Sequence, residues 1–507
     1  MEEVSSQSPN IIIICADQHR ADTIGSYGST VCCTPALDRL AAQGVQFNRC
    51  YANNPVCAPS RATILTGLQS TNHGLLRNGY ELSRQLPTLA STMQQHGYHT
   101  HAIGKLHLSP QEHGVDQAPY YGFNTLEPSE DPKIGPYLEW AIANFPEYAN
   151  YLIGTLFNLP TNNGYWQGRH DYRDTYLSYR QKYVIPHEIS DTCNWGHGHL
   201  SPLPAAAHQT TWITERAIAA INGRPADKPL LLWVGYQDPH DPYDPPAPWR
   251  DLYSPDTIPP PLGSRVDPLL LPPAMRGHLD AFSTFTPTDW LKLKALYYGS
   301  VSFMDNAIGH LLSAAEAALN MENTIVIYLA DHGEVLGDHH FKGKWLYHYE
   351  SSNRVPLIWR HDNHCQAGTN RHEFVELCDF TPTVLAAAGI ATDNKMDGRS
   401  YLPLLQGIPI PDWRDHAYSE SCNYLAATTD TPETIFWPRT IRSANYRCTF
   451  NTDPAVGELY NLHQDPDESC NLFHNPAYRG VIEEHRQRLE SRGFIFKTPP
   501  PPRPYNV

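Results

Sequence analysis

Residues 10–16 (NIIIICA) form a continuous apolar run rich in β-branched side chains, and the run stops abruptly at Asp17-Gln18. Two further runs, 229–236 (PLLLWVGY) and 324–330 (TIVIYLA), stop in the same way, at Gln237-Asp238-Pro239-His240 and at Asp331-His332-Gly333. Short unbroken apolar runs mark strands buried on both faces, the pattern of a parallel sheet. Shorter candidates are 99–103, before Gly104-Lys105, and 355–359. Between them, 35–43, 89–96, 205–221 and 290–318 carry apolar residues at helical spacing, the last with expected interruptions near Gly299 and Gly309. Alternating strands and helices predict an α/β fold with a mainly parallel central sheet sandwiched by helices. Ligands bind such sheets at the carboxyl ends of strands, so polar residues ending three separate runs point to a site.

The rhythm breaks over about 125–205, a stretch rich in Tyr, Asn, Pro, Trp and His, read as an insertion over the strand ends that shapes substrate specificity. A Pro-rich loop occupies 255–275. After about residue 410 the segments shorten, with a late helix at 479–491 and the tail TPPPPRPYNV. This divides the chain into a catalytic domain, 1–410, and a smaller C-terminal α+β subdomain with an antiparallel sheet and extended tail, 411–507.

The 507 residues suffice for a large core without disulfides. A formal charge of −16 excludes a general nucleic-acid binder. The eleven cysteines show no C-x-x-C pairs, which argues against a zinc ribbon or a disulfide framework. The first apolar run is too short for a signal sequence and follows acidic residues, and nothing approaches the ~20 apolar residues of a membrane helix. The expectation is a soluble cytoplasmic protein with no membrane partner.

Asp17-Gln18 and Asp331-His332 are candidate ends of one metal site: carboxylates suit hard divalent cations, and an imidazole opens the site to softer ions. Cys57, in N-P-V-C-A-P-S-R-A-T, reads either as a buried core cysteine or as a nucleophile at a helix start beside Arg61. A C-x5-R phosphate loop is disfavoured because residue 63 is Thr.

C-A-P-S-R-A-T-I-L-T-G resembles the signature of type I sulfatases of the alkaline phosphatase superfamily, in which C-x-P-x-R directs oxidation of the cysteine to formylglycine. D-Q at 17–18, G-K-L-H at 104–107, D-P-H at 238–240, D-H-G-E at 331–334 and G-K at 343–344 follow in the family's order. The resemblance spans most of 10–400, fades through the insertion and is weaker in the C-terminal part. It implies an alkaline phosphatase-like fold and hydrolysis of sulfate monoesters through a metal-bound formylglycine made from Cys57. Asp17, Gln18, Asp331 and His332 would hold one divalent ion, Ca2+ first and Mn2+ as the other choice, with the hydrated residue 57 as a further ligand. Arg61 would orient the diol, Lys105 and Lys344 would contact the sulfate and leaving-group oxygens, His240 would act as general acid or leaving-group stabiliser, and His107 would help release the product anion. It also implies a formylglycine-generating enzyme as a maturation partner and a small-molecule sulfate ester, carbohydrate or aryl, as substrate.

Gln18 and His332 stand where many sulfatases carry Asp and Asn; both, with Asn78 as a substrate contact, resemble the phosphonate monoester and phosphodiester hydrolase branch. Lys105 and His107 are instead the sulfatase pair. Phosphonate or phosphodiester hydrolysis is therefore the alternative activity. His339, His340 and His348 are read as supporting or substrate contacts; His197, His199, Trp195, Tyr243 and Trp249 as substrate contacts or packing; Arg77, Lys342 and Arg354 as steering cations. A homo-oligomer, packed through the tail, is left open.

Overall fold

The computed structural model describes residues 8–109, 120–131, 133–156, 173–184, 198–262, 275–276, 279, 282–392, 395–425, 434–453 and 455–492. The strands that position the site are β1 (Asn10–Ala16), β2 (Val45–Phe47), β3 (His99–Gly104), β4 (Thr125–Pro128), β5 (Leu230–Gly235), β6 (Thr324–Ala330), β7 (Leu357–His361) and β8 (Thr369–Arg371). They form one sheet in the order β8-β2-β7-β6-β1-β5-β3-β4. The expected mainly parallel sheet is present, with β7 alone antiparallel to both its neighbours. The three long apolar runs are its centre: β1 lies between β5 and β6, and Ile11 to Ile14 are buried throughout. The predicted run 355–359 is split at Pro356, whose missing N–H cannot enter a ladder, and only 357–361 joins this sheet.

Four helices matter here: α1 (Pro35–Gln43), α2 (Cys57–Thr66), α3 (Gln209–Asn222) and α4 (Pro287–Ala318). The interruptions expected near Gly299 and Gly309 do not occur, and α4 runs for 32 residues. Gly299 serves close packing instead, since a Cβ there would meet the Trp249 carbonyl oxygen at 2.7 Å. Asp305 of α4 also receives the backbone N–H groups of Ala36 (3.0 Å) and Leu37 (2.8 Å), satisfying orphan donors at the start of α1.

A separate antiparallel sheet is built from β9 (His416–Glu420), β10 (Arg439–Ser443), β11 (Tyr446–Phe450) and β12 (Gly457–Asn461), with α5 (Arg479–Ser491) against it. It is tied to the main sheet's side through buried ions: Glu376 accepts from Asn53 (2.9 Å), Tyr418 N (3.0 Å) and Arg492. The ten described cysteines are all free. Among the described residues no helix is long and apolar enough to cross a membrane.

Candidate active site

The register of the central strands creates the site. Ala16 pairs with Ala330 in the parallel β1–β6 ladder, so the next residues, Asp17 and Asp331, leave the sheet side by side. On the other flank Gly104 pairs with Gly235. A Cβ on Gly235 would lie 2.0 Å from the Lys105 carbonyl oxygen, so only glycine lets the chain carrying Lys105 pass here. Cys57 opens α2, whose ten residues are all buried. The helix start directs its partial positive charge at any anion on residue 57, and Asn78 Oδ1 accepts from Ala58 N at 3.0 Å.

Asp17, Cys57, Asp331 and His332 bring one ligand atom each within 4.8 Å of one another, all buried. Arg61, wholly buried, spans the two carboxylates: Nε donates to Asp331 at 2.8 Å, NH2 to Asp17 at 3.2 Å and NH1 to the Lys105 carbonyl at 2.7 Å. Lys105 Nζ lies 2.6 Å from Asp17 and also binds Asp131. Lys344 Nζ lies 2.8 Å from Cys57 Sγ and 2.7 Å from Gln18 Oε1. Burial opposes charge on Asp17, but Lys105, His240, Lys344 and Arg61 outweigh it and hold its carboxyl well below the usual range.

These donors fit a divalent cation. His332 Nδ1 lies 2.8 Å from the Gly333 carbonyl, to which it donates. That leaves the Nε2 lone pair facing Cys57 Sγ at 3.2 Å, and burial pushes the imidazole pKa down, keeping it a neutral ligand. Gln18 is anchored through its backbone N–H on Asp331 (3.1 Å), while its side chain binds Lys344 and Glu334.

His240 donates from Nδ1 to the Asp241 carbonyl at 2.7 Å, and among the described residues its Nε2 has no hydrogen-bond partner. Burial and Lys344 lower its pKa, but Asp241, Asp17 and Asp131 prevail and the net shift is upward. His107 sits buried in the same electrostatic neighbourhood, its pKa pushed well down by burial and Lys105. The backbone N–H groups of Leu106 and His107 both donate to Glu130 Oε1 at 3.0 Å.

The motif residues thus converge, and four carboxylates not assigned from the sequence join them: Glu130, Asp131, Asp241 and Glu334. Glu334 stood in the quoted D-H-G-E; Glu130 and Asp131 follow β4, and their acidic pair at a strand end was the available signal. Other candidates resolve into structure. His348 binds Thr440 (2.7 Å) and Ser421 (2.9 Å), linking to the C-terminal sheet, and His339 stacks on Tyr349 at 4.0 Å. Tyr243 meets Tyr297 edge-on at 5.2 Å, and Trp249 packs on Phe303 at 4.8 Å. His199 bonds Tyr151 at 2.6 Å. Arg354 lies 3.7 Å from Glu350, Arg77 covers the Tyr80 ring at 5.6 Å, and His340 is exposed. Lys342 pairs with Asp241 at 3.2 Å. Trp195 and His197 lie outside the described residues.

Comparison with known proteins agrees with this geometry. The sulfatase family model matches residues 9–390, and the model for the C-terminal part of N-sulphoglucosamine sulphohydrolase matches 337–493. An arylsulfatase of Clostridium perfringens is 28% identical over 95% of this chain and 93% of its own length. The multifunctional alkaline phosphatase superfamily protein PehA of Trinickia caryophylli is 27% identical over 95% and 94%. The phosphonate monoester hydrolase of Agrobacterium radiobacter superimposes with a TM-score of 0.78 at 25% identity, covering 96% of this chain and 95% of that one. With the family pattern matched across the catalytic sheet and the strand-end cluster, the chain belongs to the sulfatase family, within the alkaline phosphatase superfamily, and is a sulfuric ester hydrolase.

Proposed function

We propose that the protein hydrolyses small sulfate monoesters, with residue 57, oxidised from cysteine to formylglycine, as nucleophile. The observation that carries this is the position of Cys57 at a helix start, with Lys344 at 2.8 Å, His332 at 3.2 Å and Asp17 at 3.8 Å, among carboxylates bridged by Arg61. Asp17, Gln18, Asp331 and His332 would hold a divalent cation, Ca2+ or Mn2+, which when bound supplies positive charge that acidifies a hydroxyl and neutralises the transferring group. Arg61 fixes both carboxylates against the start of α2. Lys344 and Lys105 offer ammonium donors to sulfate oxygens, charge stabilisation in a water-poor site. His240, with Nδ1 engaged on the Asp241 carbonyl and a raised pKa, holds the proton the leaving alkoxide needs. His107, kept neutral, is suited to take a proton during release of the product anion.

The C-x-P-x-R context of Cys57 supports recognition by a formylglycine-generating enzyme; the arylsulfatase relative supports an aryl sulfate, and the match to the N-sulphoglucosamine sulphohydrolase C-terminal model supports a carbohydrate one. The catalytic unit is 1–410, and the part of the 125–205 stretch that follows the sheet strand β4 supplies specificity. A second reading, phosphonate monoester or phosphodiester hydrolysis with the same nucleophile, is favoured by Gln18, His332 and Asn78 and by the likeness to the Agrobacterium enzyme. The test is kcat/KM for a nitrophenyl sulfate against phenyl phosphonate esters and diesters, with calcium and with manganese. A preference for sulfate above tenfold, about 1.4 kcal/mol of barrier, is expected. A preference of that size for phosphonate moves the assignment to the second reading, and no turnover of either overturns both.

A further inference from the structure

Two neighbouring acids after β4 have different partners. Glu130 holds the backbone, receiving the N–H groups of Leu106 and His107. Asp131 does not: among the described residues the donor to its carboxylate is Lys105 Nζ. Lys105 is wholly buried and lies between Asp131 and Asp17, while Arg61 lies between Asp17 and Asp331. Lys342 is likewise matched by Asp241. Among the described residues, Lys105, Arg61 and Lys342 therefore each already face a carboxylate at close range, and Lys344 lies 3.8 Å from Asp17. Lys105 and His240 keep Asp131 ionised despite its burial.

Buried charges act strongly on one another, and a like charge facing a bound anion lowers affinity in proportion to the anion's own charge. A sulfate monoester carries one negative charge. A phosphate monoester carries close to two above its second pKa, about 6. We propose that Asp131 is a specificity-determining residue that, by sharing Lys105 with Asp17, suits the pocket to singly charged esters and disfavours doubly charged ones. This rests on the proposed hydrolytic site and adds to it the charge class of the substrate. Asp131 acts through Lys105 and is a positioning residue, not a catalytic one.

The test compares Asp131→Asn, Asp131→Glu and Glu130→Gln with the wild-type chain, metal-loaded, at pH 8, on phenyl sulfate and phenyl phosphate. Asp131→Asn should raise the ratio of kcat/KM for phosphate over sulfate at least tenfold. Asp131→Glu should keep the ratio within threefold of wild type, and Glu130→Gln should lower both activities together. A second arm needs no turnover: in a Cys57→Ala background, calorimetry should show Asp131→Asn tightening phenyl phosphate at least tenfold relative to phenyl sulfate. An unchanged ratio in Asp131→Asn, in turnover or in binding, overturns the proposal. If the wild-type chain hydrolyses neither ester, the catalytic reading fails, and the binding arm still decides the role of Asp131.

Discussion

Replacing Arg61 by alanine removes the guanidinium that hydrogen-bonds both strand-end carboxylates. Its guanidinium is fully buried and makes three bonds: to Asp331 at 2.8 Å, to Asp17 at 3.2 Å and to the Lys105 carbonyl at 2.7 Å. Asp17 keeps Lys105 at 2.6 Å, but among the described residues Asp331 then keeps hydrogen bonds from the backbone N–H groups of Gln18 and His332 and has no Lys or Arg partner. The loss is therefore that of one buried carboxylate stripped of its cation, about 3–5 kcal/mol. Arg61→Lys retains the charge without the three-way geometry and should lose roughly half as much. Urea unfolding followed by tryptophan fluorescence, in chelator and then with calcium, reads both variants as lower midpoints. Added cation should recover part of the Arg61→Ala loss, because it binds the folded form and supplies the missing positive charge. The pair Arg61→Ala and Asp331→Asn should be coupled by more than about 1 kcal/mol in a double-mutant cycle. A wild-type midpoint for Arg61→Ala, or additive losses in the cycle, would refute this account of the site's electrostatics.

His240 must be protonated to act as general acid, and its pKa is shifted upward from 6.5; kcat should be retained below that raised value and fall as pH rises through it. His240→Asn should remove this limb and lower kcat about 100-fold or more, read from pH–rate profiles. Glu376, held by Arg492 and Arg414, has its pKa lowered from 4.5 to about 2 against burial. The stability it contributes, about 3 kcal/mol, is complete above pH 4.5 and lost as pH falls toward 2. Glu376→Gln should therefore be less stable than wild type at pH 7 and converge with it near pH 2 in urea titrations. Chelation should abolish ester turnover, and re-addition of calcium or manganese should restore it in wild type but not in Asp17→Asn, as measured by nitrophenolate release.

The central fold was legible because its strands are unusually plain: three apolar runs, two cut off by an aspartate and one by a glutamine, are the three adjacent strands β6, β1 and β5. Once these pair in parallel register, Asp17 and Asp331 meet as a geometric consequence. What stayed hidden depends on long-range pairing. Glu130 and Asp131 read locally as loop acids; only the β3–β4 ladder, Gly104 against Pro128, carries them to Lys105. The antiparallel direction of β7 has no local signature, since a buried strand looks the same either way. The continuity of α4 through Gly299 is set by the Trp249 backbone packed against it. His348 looked like a site residue because it lies in the loop past the strand run that ends at Asp331-His332, yet Thr440 and Ser421 bind both its ring nitrogens.

Catalysis depends on the chemical identity of residue 57 in working enzyme. Mass spectrometry of the peptide containing that residue, taken from protein produced alongside a formylglycine-generating enzyme and assayed for sulfate release on the same sample, tests it most directly. The aldehyde or its hydrate should be found, and specific activity should rise in proportion to its fraction. Full activity from a preparation holding only the free thiol would contradict that dependence.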